Sequence, residues 1–135
     1  MSERPMSPGA SDIATRTDLE SLVNTFYDCV RADEILGPIF DDVAHTDWER
    51  HLPKMYDFWD TVVFGAARFR GNPLAVHREL ARRVPLGGRE FGRWLSLFHQ
   101  TVDTLFSGPR AEDAKARASR IAAVMQQHIL ADRTP

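Results

Sequence analysis

Residues 46–65 read TDWERHLPKMYDFWDTVVFG, and their spacing decides the fold class. Leu52, Met55, Phe58, Trp59, Val62 and Val63 recur at intervals of three and four, the pattern of a helix with one apolar face. Thr46 and Glu49 stand three apart just ahead of that run, as in a capping box, and Gly65 closes it. Thr61-Val62-Val63-Phe64 has strand propensity, yet it lies inside the helical stripe. Pro53 is awkward. It removes the bond to the carbonyl of Glu49, at a cost of about 3 kcal/mol in a regular helix. The expectation is a loose first turn, with the regular helix starting at Pro53.

The same reading extends outward in both directions. Upstream, Thr17-Asp18-Leu19-Glu20 spells a second capping box, and Leu19, Leu22, Val23, Phe26 and Val30 continue a helix to about Arg31. Asp33–Phe40 contains Gly37-Pro38 and predicts a short turn-like helix before a loop. Downstream, Gly71-Asn72-Pro73 places proline at the first position of a short helix, about Pro73–Ala81. Pro85 and Gly87-Gly88 mark a break. Phe91, Trp94, Leu95, Phe98, Val102, Leu105 and Phe106 then define a long helix, which Gly108-Pro109 separates from a last one, about Pro109–Leu130. On that last helix Ile121, Val124, Met125, His128 and Ile129 share a side. No segment alternates with period two. The fold class is all-α, with four substantial helices and two short ones. Residues 1–17 read as a disordered leader, 18–130 as the domain and 131–135 as a tail.

At 135 residues the chain fits one domain, and 43% apolar with 27% charged residues is ordinary for a globular protein. A net charge of −2 disfavours nucleic acid as a partner. The single cysteine, Cys29, excludes an internal disulfide or a multi-cysteine metal site and reads as a small buried thiol. No apolar run reaches the roughly 18 residues of a membrane helix, and the N-terminus lacks the apolar core of a signal peptide. The expected location is the cytoplasm. Nucleophile, phosphate-binding and zinc-protease motifs are absent, and Asp42-Val43-Ala44-His45 is a lone instance of a di-iron-like spacing in a loop.

The histidines and aromatics carry more. His51 shares its helix face with Met55, Phe58 and Val62, and His77 shares one with Leu74, Leu80 and Ala81. A buried imidazole needs a partner, and either histidine alone can be a satisfied core residue. His45, His99 and His128 sit at loop or flank positions. Tyr27 and Trp94, each readable as a core aromatic, bring a hydroxyl and an indole N–H that also need partners. One arrangement answers all of these needs: a planar apolar cofactor with a metal centre held by one histidine, as in haem proteins.

These residues fall within stretches that resemble the truncated haemoglobins, and among them the third group. The stretches are Phe26-Tyr27-Asp28-Cys29-Val30-Arg31-Ala32-Asp33 with Leu36-Gly37-Pro38-Ile39-Phe40, then His51-Leu52-Pro53-Lys54-Met55-Tyr56-Asp57-Phe58-Trp59. Gly71-Asn72-Pro73-Leu74-Ala75-Val76-His77 and Phe91-Gly92-Arg93-Trp94-Leu95-Ser96-Leu97-Phe98 follow, so the likeness covers roughly Asp18 to Ile129. It implies a shortened globin fold, a two-over-two helical sandwich around haem b. It also implies His77 as the proximal iron ligand and Tyr27, His51 and Trp94 as the distal set that stabilises the ligand. Phe40 would pack flat on the porphyrin, with Met55, Phe58 and Trp59 as apolar wall and Leu74 beside the cofactor. Lys54, Arg78 and the Arg82-Arg83 pair are the cations available to the propionates.

The implied function is binding of dioxygen and related small ligands, nitric oxide and cyanide among them, with slow oxygen release. Redox chemistry on oxygen, peroxide or nitric oxide, peroxidase-like or of the nitric-oxide dioxygenase kind, would need a reductase as partner. A monomer or weak homodimer is expected, with neither nucleic acid nor membrane as partner. The rival reading is a cofactor-free helical interaction module with structural histidines.

Overall fold

In the computed structural model Thr15, rather than Thr17, caps the first helix. The Thr15 hydroxyl accepts from the Asp18 backbone N–H at 3.2 Å, and the Asp18 carboxylate accepts from the N–H of Thr15 at 3.0 Å. Asp18 does the reciprocal work expected of Glu20, which instead pairs with Arg16 at 3.4 Å. The described residues are 11–65, 71–84 and 86–133; the expected break at Pro85 lies outside them. They form α1 (Arg16–Ala32), α2 (Trp48–Phe64), α3 (Pro73–Ala81), α4 (Gly88–Leu105) and α5 (Pro109–Arg133), with one π-turn at Ile39–Val43. Among them there is no strand, only an isolated bridge between Ser11 and Phe106. The all-α expectation holds. α1 lies on α2 and α4, α4 on α5, and α2 on α5, which makes two helix pairs in two layers.

Residues 11–15, expected in a disordered leader, are docked; residues 1–10 lie outside the described residues. Ile13 is fully buried in the core, and the Ser11 carbonyl accepts from Ser107 N–H at 3.0 Å. The Asp12 carboxylate caps α5 by accepting from the N–H groups of Arg110 (2.9 Å) and Ala111 (2.8 Å). Gly108, at φ 147°, makes the approach: a Cβ there would sit 2.6 Å from Asp12 Cγ. A side chain borrowed from 98 residues upstream thus serves as the cap, which no local pattern can reveal.

Burial works to raise the Asp12 pKa, but the N–H groups of Arg110, Ala111 and Ile13 outweigh it and hold the carboxyl below its ordinary 3.8. The contribution is therefore complete above that value and fades as the pH falls through the lowered one. Asp12→Ala is expected to cost about 1 kcal/mol in urea unfolding at neutral pH. An unchanged midpoint would show the contact to be idle.

α2 also departs from expectation. It is regular from Trp48, with Asp47 as a cap lacking a side-chain bond, and Pro53 stands inside it. Thr46 is drawn elsewhere: its N–H and hydroxyl both donate to the Phe40 carbonyl at 2.9 Å. Glu49 and Pro53 are both exposed, so water can satisfy the carbonyl that proline orphans. Between α1 and α2, Gly37 lies against α1 so closely that a Cβ would meet the Arg31 carbonyl at 2.5 Å. The buried Asp33 carboxylate holds this turn by accepting from Ile35 and Leu36 N–H (both 3.0 Å) and from Arg93 of α4 (2.6 Å).

The core is aromatic at its centre. Phe26, Trp59 and Phe98 are fully buried; Trp59 stacks on Phe98 with centroids 4.7 Å apart, and Phe26 meets Phe98 edge-on at 5.2 Å. The expected face of α5 holds in part: Ile129 is buried and Ile121 and Met125 pack on the core, but Val124 and His128 are exposed, and Ala111, Ala114, Ala118 and Ala122 are buried at helical spacing. Small residues let α4 and α5 approach closely. Cys29, expected to be buried, is exposed.

Candidate functional site

α3 begins with Asn72, whose side-chain oxygen accepts from Ala75 N–H at 3.0 Å, and with Pro73 at the first turn. One turn on, His77 Nδ1 lies 2.7 Å from the Pro73 carbonyl. A carbonyl can only accept, so Nδ1 carries the proton and Nε2 keeps its lone pair. Proline at this position helps fix the start of the helix, and the backbone carbonyl there, which any residue would supply, fixes the tautomer of the histidine. No residue of α3 is buried, although Pro73, His77 and Leu80 line a cavity of about 910 Å³.

That cavity gathers residues from every helix. Tyr27, Phe40, His51, Lys54, Met55, Phe58, Trp59, His77 and Trp94 all line it. Leu74 and Arg78 do not. Leu74 faces a smaller adjoining hollow of about 490 Å³. Arg78 turns to α5, where its Nε lies 2.9 Å from the Asp132 carboxylate, too oblique for an aligned hydrogen bond, and Nη2 lies 3.4 Å from His128 Nδ1. The cause is helical geometry: the residue after His77 lies about 100° further round the helix. Arg82 pairs with Glu79 at 3.3 Å, while Arg83 lines the cavity. Arg50 lines it too and was missed; it sits one turn before Lys54 on the same helix face, which is the signal that could have found it.

Tyr27 is 6% exposed and meets Phe40 and His51 edge-on, with centroids 5.9 and 5.4 Å away. Burial pushes its hydroxyl well above the ordinary tyrosine value, with the Trp94 indole N–H pulling weakly the other way, so Tyr27 keeps its proton. Trp94 stacks on Phe98 at 5.6 Å with planes 7° apart, which locks its ring. His51 is the unsatisfied member: its Nε2 is buried without a hydrogen-bond partner. Burial first, then Lys54 and His77, lowers the His51 pKa to about 4, so it is neutral at physiological pH.

The sign of this shift is testable. The unfolded chain takes up a proton near 6.5 and the folded chain only near 4, so stability is full above 6.5 and declines as the pH falls between the two values. His51→Gln is expected to flatten that decline. The comparison is urea unfolding at pH 7 and pH 5, and equal pH slopes in parent and variant would refute it.

Residues 11–129 match the family model for bacterial-like globins. The chain belongs to that family. It is 31% identical over 111 residues to a group 3 truncated hemoglobin of Campylobacter jejuni, across 80% of this chain and 85% of the relative. The crystal structure of the group III truncated hemoglobin from Campylobacter jejuni superposes with a TM-score of 0.79 at 28% identity, covering 89% of this chain and 94% of that one. The resemblance to the third group of truncated haemoglobins and the shortened globin fold are thus borne out. Membership implies a haem cofactor, and the site fits one. The cavity wall is mainly apolar, His77 offers a free nitrogen lone pair, and the orphaned His51 Nε2 and the cations Arg50, Lys54 and Arg83 complete the lining. No helix among the described residues of this globin is long and apolar enough to cross a membrane.

Proposed function

We propose that this globin holds haem b through His77 Nε2 and binds dioxygen, with nitric oxide and cyanide as further ligands, releasing oxygen slowly. Bound haem supplies an iron centre with a coordination position for a small ligand. The observation that carries the reading is the His77–Pro73 bond, which leaves Nε2 as a donor in a cavity that Tyr27, His51 and Trp94 also line. Tyr27 and Trp94 are the donors to a polarised ligand, and His51 controls access. Phe40, Met55, Phe58 and Trp59 clasp the porphyrin and exclude water, while Lys54, Arg50 and Arg83 are placed to meet its propionates.

Two donors lining one cavity, with the Trp94 indole N–H bonded to the Tyr27 hydroxyl until a ligand enters, would suit retention or ligand chemistry better than delivery. Peroxidase-like or nitric-oxide dioxygenase turnover belongs to the same reading and requires a reductase. A cytoplasmic monomer or weak homodimer completes it. The rival, a cofactor-free interaction module, is disfavoured because a structural histidine at position 51 would have a partner for Nε2. Absorption spectra of the ferric, ferrous and oxygenated forms, with oxygen dissociation kinetics on the same sample, test the proposal. Absence of a Soret band after expression with adequate haem would refute it.

A further inference from the structure

Trp48 has no role in anything described so far, yet it touches three of the residues around the ligand position. It stacks on Phe40 with centroids 5.7 Å apart and planes at 29°, meets Tyr27 at 5.4 Å, and stands edge-on to His51 at 5.5 Å and 87°. Its own position is fixed from outside. The indole N–H donates to the Asp41 carboxylate at 2.9 Å, and the Arg31 guanidinium lies over its ring, 4.8 Å from the centroid. Arg31 also reaches Asp41 at 3.6 Å, so one residue from α1, one from the π-turn and one from α2 close a triangle.

The indole N–H is therefore committed to Asp41 and cannot serve as a donor to a ligand. What Trp48 offers is support from behind: it does not itself line the cavity but backs Tyr27, Phe40 and His51, which do. His51 has no hydrogen bond through Nε2 to hold its ring, so its orientation rests on the flanking aromatic rings, of which Trp48 is the one tied to the surface. Three residues before Trp48 the chain bends at His45, whose φ of 51° is a left-handed conformation that histidine tolerates better than most residues. His45, Thr46 and Asp47 line the cavity at that bend, between the π-turn and α2.

We propose that Trp48, clamped by Asp41 and Arg31, is the positioning residue that keeps His51 turned into the cavity, and that releasing this clamp admits ligands past His51. The inference rests on the haem reading above. Its energetics favour a latch over a permanent weld. The exposed Arg31–Asp41 pair is weak by itself, whereas the charge-assisted bond and the cation over the ring add modest, breakable increments.

The test uses the haem-loaded chain. Carbon monoxide association after flash photolysis should rise roughly three- to tenfold in Trp48→Phe and Asp41→Ala, because each removes the indole-to-carboxylate bond. Oxygen dissociation should stay within about twofold, since the ligand donors are untouched. Asp41→Asn keeps an acceptor oxygen and should restore nearly parental association. In the diamagnetic carbon monoxide complex, the Trp48 indole proton should exchange slowly in the parent and quickly in Asp41→Ala.

His51→Ala should itself speed association, and adding Trp48→Phe to it should change nothing more. The assignment is overturned by unchanged association in both clamp variants, by a Trp48→Phe effect that persists undiminished beside His51→Ala, or by equal acceleration of oxygen dissociation. No effect of His51→Ala would overturn it as well. A chain that takes up no haem fails the earlier reading and this one together, and the missing Soret band tells that case apart.

Discussion

His77→Gly will leave the chain unable to retain haem, and added imidazole will restore the five-coordinate ferrous spectrum. The reason lies in how little else could replace the ligand proposed here. His51 is the other histidine lying deep in the cavity; it is neutral with a free Nε2, as a ligand must be, so only its setting counts against it. Its place on α2, inside a cage of Tyr27, Trp48 and Phe40, gives it no carbonyl like that of Pro73 to fix its tautomer. Losing an outer-shell partner alone typically costs ten- to a hundredfold in affinity, and losing the ligand costs more. Haem transfer to an apoprotein acceptor should therefore quicken by roughly a hundredfold or more in His77→Gly. Imidazole fits the vacated space and returns the nitrogen without the tether. A five-coordinate spectrum unchanged without imidazole would move the iron ligand elsewhere.

The second large effect concerns selectivity between ligands. Tyr27→Phe and Trp94→Phe should each raise the oxygen dissociation rate about tenfold to a hundredfold, the worth of a buried hydrogen bond to a charged or strongly polarised acceptor. Carbon monoxide, nearly apolar when bound, should leave at a rate changed by less than about threefold. Tyr27 can donate because burial keeps its hydroxyl protonated. Phenylalanine at that position preserves the edge contacts with Phe26, at 4.9 Å, and with Phe40. Parallel changes for both gases would reduce the two residues to packing, and no change in either would make them plain core aromatics.

Periodicity made the helices legible, and α3 was placed at the residues where it stands. A regular stripe with a proline at its first position needs no tertiary information. What escaped depends on distant groups. Thr17 and Thr15 offer the same chemistry, and the docked leader, with Ile13 in the core, favours the earlier start. Ile13 and Asp12 looked like solvated residues because their partners, Phe106 to Ala111, come about a hundred positions later. Pro53 looked costly because the exposure of Glu49 cannot be read locally. The alanines of α5 were passed over in favour of larger residues, although their spacing was as regular.

At the site, residue types were legible and directions were not. His77 and His51 stood out as polar groups on apolar faces. Arg78 and Leu74, within three positions of His77, point out of the cavity. Trp48 was invisible as the support behind the pocket because its side chain is recruited by Arg31 and Asp41 from two other segments.

α3 has nine residues, none of them buried, and it rests chiefly on α5. A segment held so lightly opens locally at a free-energy cost far below that of unfolding the whole domain. The aromatic core inside the frame of α1, α2, α4 and α5 takes no residue from α3, so its packing does not depend on that segment. Under the haem reading, loading and unloading of the prosthetic group would then need only α3 to give way, in a protein that stays folded. A group bound through His77 would add to what holds α3, so occupancy and the order of this segment would be linked quantities.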